Sequence, residues 1–150
     1  MKKTHLLFAF TFFFLSCEDD CEDIACFTPP EPFSFEFVDA TSGENIFTNG
    51  TFQEEDISII NQADDSNIEV NFISENDYNI LQIGSIGWQS EDADYLIEVG
   101  EDISFNLLID AERTNEDCCT FTRINNVEIE GEEYEKDAET GLYRILTEQN

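Results

Sequence analysis

YLIEVGEDISFNLLI, residues 95–109, is the stretch that decides the fold. Apolar side chains occupy every second position before and after a Gly100-Glu101 turn: Tyr95, Ile97 and Val99, then Ile103, Phe105, Leu107 and Ile109. An alternation with period two is typical of a strand that buries one face, and a glycine between two such runs marks a tight turn. The stretch therefore predicts an antiparallel β-hairpin.

The same alternation recurs through most of the chain, in short runs separated by polar turns. The further runs are Phe33/Phe35/Phe37, Ile57/Ile59, Ile68/Val70/Phe72, Phe121, Val127/Ile129 and Tyr143/Ile145. No apolar stripe of helical period occurs outside the first 16 residues. Eight or nine short strands with almost no helix predict an all-β domain over residues 33–150, a single antiparallel β-sandwich of immunoglobulin-like or transthyretin-like kind.

Three sequence signals for turns lie between these runs. Residues 39–43 and 137–141 share the form Asp-Ala-x-(Ser/Thr)-Gly. We predict one turn geometry for both, with Asp capping the turn and Gly ending it, and a duplicated half-domain is the alternative. The first also resembles the opening Asp-x-x-(Ser/Thr)-Gly of transthyretin-like and carboxypeptidase-regulatory-like domains. Asn49-Gly50, between Phe47 and Phe52, predicts a further hairpin.

The segment between the early strands and the main hairpin is less regular. Tyr78 and Ile80 share one parity whereas Leu81 and Ile83 share the other, which predicts a bulge or a strand buried on both faces. Trp88 is the only tryptophan. We predict a core position for it, and a stacking platform for a ligand is the alternative.

The first residues have the pattern of a secretory signal. Lys2 and Lys3 form a charged start, and Leu6 to Leu15 form an apolar run. Ten residues match the apolar region of a signal peptide and fall short of the roughly 20 that a membrane span needs. Ser16 supplies the small residue expected before a cleavage site, and the residue after it is Cys17.

This arrangement resembles the lipobox of bacterial lipoproteins, whose cysteine is diacylated and becomes the mature N-terminus. The family prefers Leu three residues before that cysteine, where this chain has Phe14. The resemblance implies a signal peptide over residues 1–16 and anchorage to a lipid bilayer through acylated Cys17. An ordinary secreted protein with Cys17 in a disulfide is the alternative.

Residues 17–32 are predicted to form a tether. Five of the six residues after Cys17 are acidic, and such a cluster resembles the surface-export signal of Bacteroidetes lipoproteins. It implies a position on the exterior of the outer membrane, with the periplasmic face as the alternative. Pro29, Pro30 and Pro32 favour an extended spacer. The rest of the chain resembles small lipoproteins of that group, which implies no activity.

Removing Cys17 from the count leaves four cysteines, an even number. Outside the cytoplasm the default is two disulfides. Because a bond between Cys118 and Cys119 would close a strained ring, we expect Cys21 and Cys26 each to pair with one of them, at a strand end or bulge. These bonds would hold the tether against the domain. A four-cysteine zinc site is the alternative.

Charge excludes several partners. The chain has 35 acidic and six basic residues, a formal net charge of −29. Removal of residues 1–16 leaves 134 residues and takes away Lys2, Lys3 and His5, so the formal charge becomes −31. Nucleic acids and anionic membrane surfaces are poor partners for such a body, because both are bound through Lys and Arg.

Calcium is the one cofactor that the many Asp and Glu residues favour, since it is bound by carboxylate and carbonyl oxygens. The best clusters are Asp64 with Asp65, and Glu91 with Asp92 and Asp94. Neither has the spacing of an EF-hand. We therefore predict solvated loops and no bound cofactor, with calcium as the alternative.

The predicted mature chain has no histidine, since His5 lies in the leader. Ser-His-Asp and Cys-His catalysis and histidine zinc sites are thereby excluded, whereas paired carboxylates are not. We predict a non-enzymatic lipoprotein that binds a glycan, peptide or partner protein. A structural envelope lipoprotein without small ligand and a calcium-dependent adhesion module are the alternatives. An exposed aromatic patch around Trp88, Tyr78 or Tyr95 would favour binding.

Overall fold

The computed structural model describes residues 26, 28–75, 78–116 and 118–148. The predicted signal peptide, Cys17 and Cys21 lie outside the described residues. One turn of 3-10 helix spans Glu54–Asp56. The described strands are β1 Phe33–Asp39, β2 Ile57–Asn61, β3 Ser66–Asn67, β4 Asn71–Glu75, β5 Tyr78–Ile83, β6 Glu91–Val99, β7 Ile103–Glu116, β8 Cys119–Glu130, β9 Glu133–Lys136 and β10 Tyr143–Thr147.

These strands form two five-stranded sheets that pack face to face. The first sheet has the order β3-β2-β6-β7-β8, and the second has the order β4-β5-β1-β10-β9. The predicted all-β sandwich is confirmed. One pair departs from the antiparallel expectation, because β1 and β10 run parallel, with Phe35 opposite Tyr143 and Phe37 opposite Ile145. These strands are far apart in the chain, so no hairpin turn fixes their relative direction.

The hairpin predicted from residues 95–109 is confirmed as β6 and β7. Tyr95 lies opposite Leu107 and Ile97 lies opposite Phe105, and Gly100 in the turn has a φ of 63°. The pairing continues into β8 and makes β7 the longest strand, at 14 residues. A register shift after Asp110 marks a β-bulge in this second hairpin.

The inner faces of the two sheets meet in one hydrophobic core. Phe105 of the first sheet contacts both Phe35 and Phe37 of the second, with ring centroids 6.2 Å apart in each pair. All three side chains are buried. Burying a phenylalanine contributes about 1.5–3 kcal/mol, so these rings stabilise the packing of one sheet on the other.

One predicted strand and one predicted hairpin are wrong. Residues 68–72 do not form one strand, because β3 ends in the first sheet and residues 68–70 carry the chain to β4 in the second. Asn49-Gly50 does not close a hairpin but lies among successive turns, in which the Gly50 N–H donates to the Phe47 carbonyl at 3.2 Å. The neighbours Ile46 and Phe47 are both buried, whereas a strand would point one of them outward.

The expectations for residues 78–88 are also wrong. β5 pairs with β4 and β1 in continuous register, without a bulge. Leu81 and Ile83 are buried, whereas Tyr78 is 64% exposed, so the strand buries a single face. Trp88 is 47% exposed rather than part of the core. The reason is that β5 ends at Ile83 and Trp88 lies in the surface segment that follows.

The repeated Asp-Ala-x-(Ser/Thr)-Gly turns are confirmed as one geometry. In each, the Asp Oδ1 accepts hydrogen bonds from the backbone N–H groups two and three residues on, at 3.2 and 2.7 Å for Asp39 and at 2.8 Å twice for Asp137. Gly43 and Gly141 end the turns with φ of 74° and 73°. The second turn connects β9 to β10.

Candidate functional site

The described cysteines join the predicted tether to the sandwich. Cys26 forms a disulfide with Cys119, 93 residues away. Cys118 is also disulfide-bonded, so the two adjacent cysteines do not close a ring with each other. Cys118 lies in a turn and Cys119 is the first residue of β8, which confirms their predicted position at a strand end. The expected pairing of Cys21 and acylation of Cys17 lie outside the described residues.

A second set of contacts, the tether clasp, lies beside this disulfide and comprises Thr28, Pro30, Gly87, Arg113 and Thr122. Arg113 Nη1 donates to the Thr28 carbonyl at 3.2 Å and to Thr122 Oγ1 at 2.8 Å. Thr122 Oγ1 in turn donates to the Gly87 carbonyl at 2.5 Å. A Cβ added at Gly87 would lie 3.3 Å from Pro30 Cβ and 2.9 Å from Thr122 Cγ2. The last part of the predicted spacer is therefore packed against the domain.

The long β7–β8 hairpin explains the place of the clasp. Ala111 is buried in the core. Arg113 lies two residues further along β7 and so shares its face, opposite Thr122 of β8. The chain segment that precedes β1, rather than a strand of the second sheet, contacts this end of the hairpin through Thr28. The polar Arg113 therefore continues a row of core residues.

Glu91, one of the calcium candidates, takes part in local structure near the clasp. It accepts a hydrogen bond from the Tyr95 hydroxyl at 3.1 Å and another from the Gly87 N–H. Burial raises the pKa of Tyr95, and the neighbouring Glu91 carboxylate raises it further. Oε1 of Glu91 thus holds the 84–90 segment against β6 at Gly87, while Oε2 binds Tyr95 within β6.

The other calcium candidates lie in the turn between β2 and β3 and on β6. Asp64 Oδ1 accepts from the Ser66 N–H and hydroxyl at 3.1 and 2.6 Å, and these bonds lower the Asp64 pKa. Asp65 follows with a φ of 56°. Asp92 is exposed, while Asp94 is partly buried and its Oδ1 has no hydrogen-bond partner in the described part of the chain.

Among the described residues, no three His, Cys, Asp or Glu side chains are grouped so that they could hold a metal ion. The two predicted acidic clusters are therefore not combined into a ligand set. The Cys26–Cys119 disulfide also uses two of the four sulfurs that the alternative zinc site requires.

A depression opens at the edge of the core, between the 45–56 segment and the β4–β5 hairpin. Its volume is about 260 Å³. We call it the aromatic depression, and its lining residues are Phe47, Phe52, Phe72, Gln53, Glu54, Glu55, Ser74 and Asn79. The rings of Phe47 and Phe72 meet edge to face, with centroids 5.0 Å apart. Its floor is thus apolar, and its rim carries amides and carboxylates.

The aromatic depression and the tether clasp lie at opposite ends of the sandwich. β1 begins at Phe33, three residues after Pro30 of the clasp, and ends near the 45–56 segment, where the Ile46 N–H donates to the Phe37 carbonyl at 3.1 Å. β5 runs the other way, from beside Asn79 in the depression toward Gly87 of the clasp. The seven residues of β1 span about 20 Å.

A smaller depression of about 140 Å³ lies beside β9 and β10 and includes Lys136 and Arg144. Lys136 Nζ donates to the Tyr143 hydroxyl at 2.8 Å. Arg144 contacts Glu36 at 3.0 Å and Glu135 at 3.9 Å. Because its cations already have partners within the protein, this depression is a weaker candidate for a ligand site.

The aromatic patch considered from the sequence is not formed as one surface. Tyr95 is buried, while Tyr78 and Trp88 are exposed near opposite ends of β5. Trp88 Nε1 donates to the Gly84 carbonyl at 2.8 Å. The aromatic depression was missed because its rings come from separate segments, although the buried neighbours Ile46 and Phe47 could have indicated a closed loop there.

Comparison with protein-family models, with curated proteins and with solved structures finds no match to this chain. Within the described residues, no helix has the length and apolar character required to cross a bilayer.

Proposed function

We propose that the protein is a lipid-anchored extracytoplasmic lipoprotein whose β-sandwich is a non-catalytic binding or accessory module at the outer membrane. The observation that carries the proposal is the Cys26–Cys119 disulfide. A disulfide of this kind persists in oxidising compartments outside the cytoplasm. Cys26 lies nine residues after Cys17, the residue that resembles an acylation site. The attachment of the tether to the domain therefore begins close to the proposed anchor.

The position of the aromatic depression favours a binding role over a purely structural one. It lies at the end of the sandwich opposite the tether clasp, so an anchored domain would present it away from the membrane. The exposed side chain of Tyr78, at the same end of β5 as the depression, adds apolar surface that a partner could cover. The absence of histidine after residue 16 supports a role without acid–base catalysis by imidazole.

Acylation is tested by metabolic labelling with an alkyne fatty acid and by membrane fractionation. Replacement Cys17→Ser should abolish the label and release the protein from membranes. Cys26→Ser is the matched control, because it also removes a cysteine but leaves the lipobox intact, and it should keep the label. A Cys17→Ser protein that still carries the label and still sediments with membranes would contradict the proposal.

Exposure on the cell exterior is tested separately on intact cells. A protease or an antibody against the sandwich should reach the protein without permeabilisation of the outer membrane. Neutralising the acids after Cys17, by Asp19→Asn and Asp20→Asn, should reduce this access while acylation continues. Access only after permeabilisation would assign the protein to the periplasmic face instead.

A further inference from the structure

We infer that the aromatic depression binds one positively charged group, the ammonium or guanidinium of a Lys or Arg side chain on a partner protein. The inference rests on the proposed function in treating the end opposite the tether clasp as the displayed end of the domain. It adds to that function the chemical class of the partner group and the place where it docks.

Charge is the first argument. Glu54 and Glu55 lie exposed on the rim, and within the described residues neither forms an ion pair. The basic side chains of the described chain are all engaged elsewhere: Arg113 at the clasp, Arg123 with Glu112, Lys136 with Tyr143 and Arg144 with Glu36. The rim is therefore a negative surface that the protein itself does not neutralise, and it disfavours phosphates and carboxylates.

The floor is the second argument. Phe47, Phe52 and Phe72 line it, and Phe52 and Phe72 are only partly buried. A cation near an aromatic face is attracted by the ring quadrupole. The methylene stem of a Lys or Arg side chain can lie along such apolar surface while its charged end reaches the rim. An apolar floor below a carboxylate rim matches both parts of these two side chains.

The size of the depression is the third argument. A volume of about 260 Å³ lies below the range of about 300–1,000 Å³ that is usual for pockets that enclose a small molecule. It suits one side chain presented on the surface of another protein better than an oligosaccharide. Arginine is among the residues that most often dominate the binding energy of protein interfaces. The depression has the dimensions of a pocket for one such residue.

The test measures binding of amino-acid amides to the full-length protein in zwitterionic micelles by NMR, at an ionic strength of about 0.15 M to screen distant charges. The probes are N-acetyl-lysine methylamide and N-acetyl-arginine methylamide, with N-acetyl-norleucine methylamide as the uncharged probe. We expect saturable binding of the two cationic probes, with the largest shifts at Phe52, Phe72 and Asn79, and roughly tenfold weaker binding of the norleucine compound.

Variants locate the binding. The pair Glu54→Gln and Glu55→Gln should weaken binding of the cationic probes by roughly tenfold. The matched pair Glu133→Gln and Glu139→Gln removes the same charge from exposed positions outside the depression and should change the affinity by less than about twofold. Phe72→Leu keeps an apolar side chain but removes the ring, and should weaken binding several-fold. If Phe72→Leu fails to fold, the comparison of the two glutamate pairs still tests whether the cationic probes bind in the depression.

Three results would overturn the inference. Equal losses in both glutamate pairs would mean diffuse attraction to a strongly acidic protein. Tighter binding of methyl glucoside than of the cationic probes would assign the depression to a sugar, and tighter binding of putrescine would assign it to a free polyamine. Fatty-acid labelling of the same variants should be unchanged, so a failure here is distinct from a failure of the proposed anchorage.

Discussion

Nη1 of Arg113 lies 3.2 Å from the carbonyl oxygen of Thr28 and donates a hydrogen bond to it across 85 residues of sequence. The contact joins the segment that precedes β1 to the far end of the long β7–β8 hairpin. The Cys26–Cys119 disulfide makes a covalent link at the same end of the sandwich. The tether is thereby attached to the sandwich by two contacts, one a disulfide and the other a hydrogen bond.

Arg113→Met should destabilise the protein by about 1–2 kcal/mol, because it removes the donors to Thr28 and Thr122 while keeping an unbranched apolar stem. Urea unfolding measures the change. Arg123→Met is the control, since Arg123 makes a long 3.8 Å contact with Glu112 and both side chains are 52% exposed. That pair should contribute no more than about 1 kcal/mol. Equal losses in the two variants would contradict the role of the clasp.

Cys26→Ser should lower the free energy of unfolding by less than the roughly 4–5 kcal/mol that the chain-entropy description assigns to a loop of more than 90 residues, because the disulfide of Cys118, with Cys21 as its expected partner, still restrains a loop of similar length. Unfolding under non-reducing conditions measures it, and mass mapping of a digest should recover a peptide linked between Cys26 and Cys119. The double variant with Cys119→Ser should cost little more than either single variant, since both remove the same bond. Additive losses would indicate that the two cysteines act separately.

The strands could be predicted from the sequence because period-two alternation is a local property. Ile97 and Phe105 each reveal the buried face of their own strand, and the pairing of β6 with β7 follows from the short turn at Gly100. The Asp39 and Asp137 turns were predictable for the same reason. All of the bonds that define them lie within five residues.

The aromatic depression and the clasp could not be predicted, because both depend on contacts between distant segments. Phe72 faces Phe47 only because the chain changes sheets between β3 and β4. The parallel pairing of β1 with β10 likewise involves strands that no turn connects. For Cys26 the sequence limited the partners to two adjacent residues, and the fold selects Cys119.

Tyr95 should make stability fall at high pH. Burial, and then the Glu91 carboxylate, raise the pKa of its hydroxyl in the folded state above the value of about 10 in the unfolded chain. Below that pH the hydroxyl is protonated in both states and the stability is fully retained. As the pH rises further, the Tyr95 hydroxyl ionises in the unfolded state but stays protonated in the folded state. This ionisation stabilises the unfolded state, so the free energy of unfolding decreases.

Urea unfolding at about pH 9 and about pH 11, on either side of the ordinary tyrosine pKa, measures this effect. Tyr95→Phe should lose about 1 kcal/mol at the lower pH through its hydrogen bond to Glu91, and should show a smaller decrease toward the higher pH. Tyr134→Phe is the control at a half-exposed position, and its decrease should match that of the unmodified protein. If Tyr95→Phe leaves the decrease unchanged, another group is responsible for it.

Gly141→Ala should destabilise the protein by about 1–2 kcal/mol through backbone strain alone. Gly141 has a φ of 73°, and no heavy atom lies within 4 Å of an added Cβ, so the methyl group itself meets no obstacle. Gly84 offers the matched comparison, because its surroundings are equally open but its φ lies outside the left-handed region. Gly84→Ala should be neutral or stabilise by a few tenths of a kcal/mol, since it restricts the unfolded chain.

Thermal and urea unfolding of the two alanine variants therefore separate conformational strain from steric contact. The Gly141 N–H donates to the Asp137 carbonyl at 2.9 Å, and the turn closes β9 onto β10. A loss in Gly141→Ala should accordingly be accompanied by faster amide exchange at Tyr134 and Ile145, which face each other across that pair of strands. Equal stability of the two variants would show that the turn can change its geometry, and the shared role of the Asp-Ala-x-(Ser/Thr)-Gly turns would then be lost.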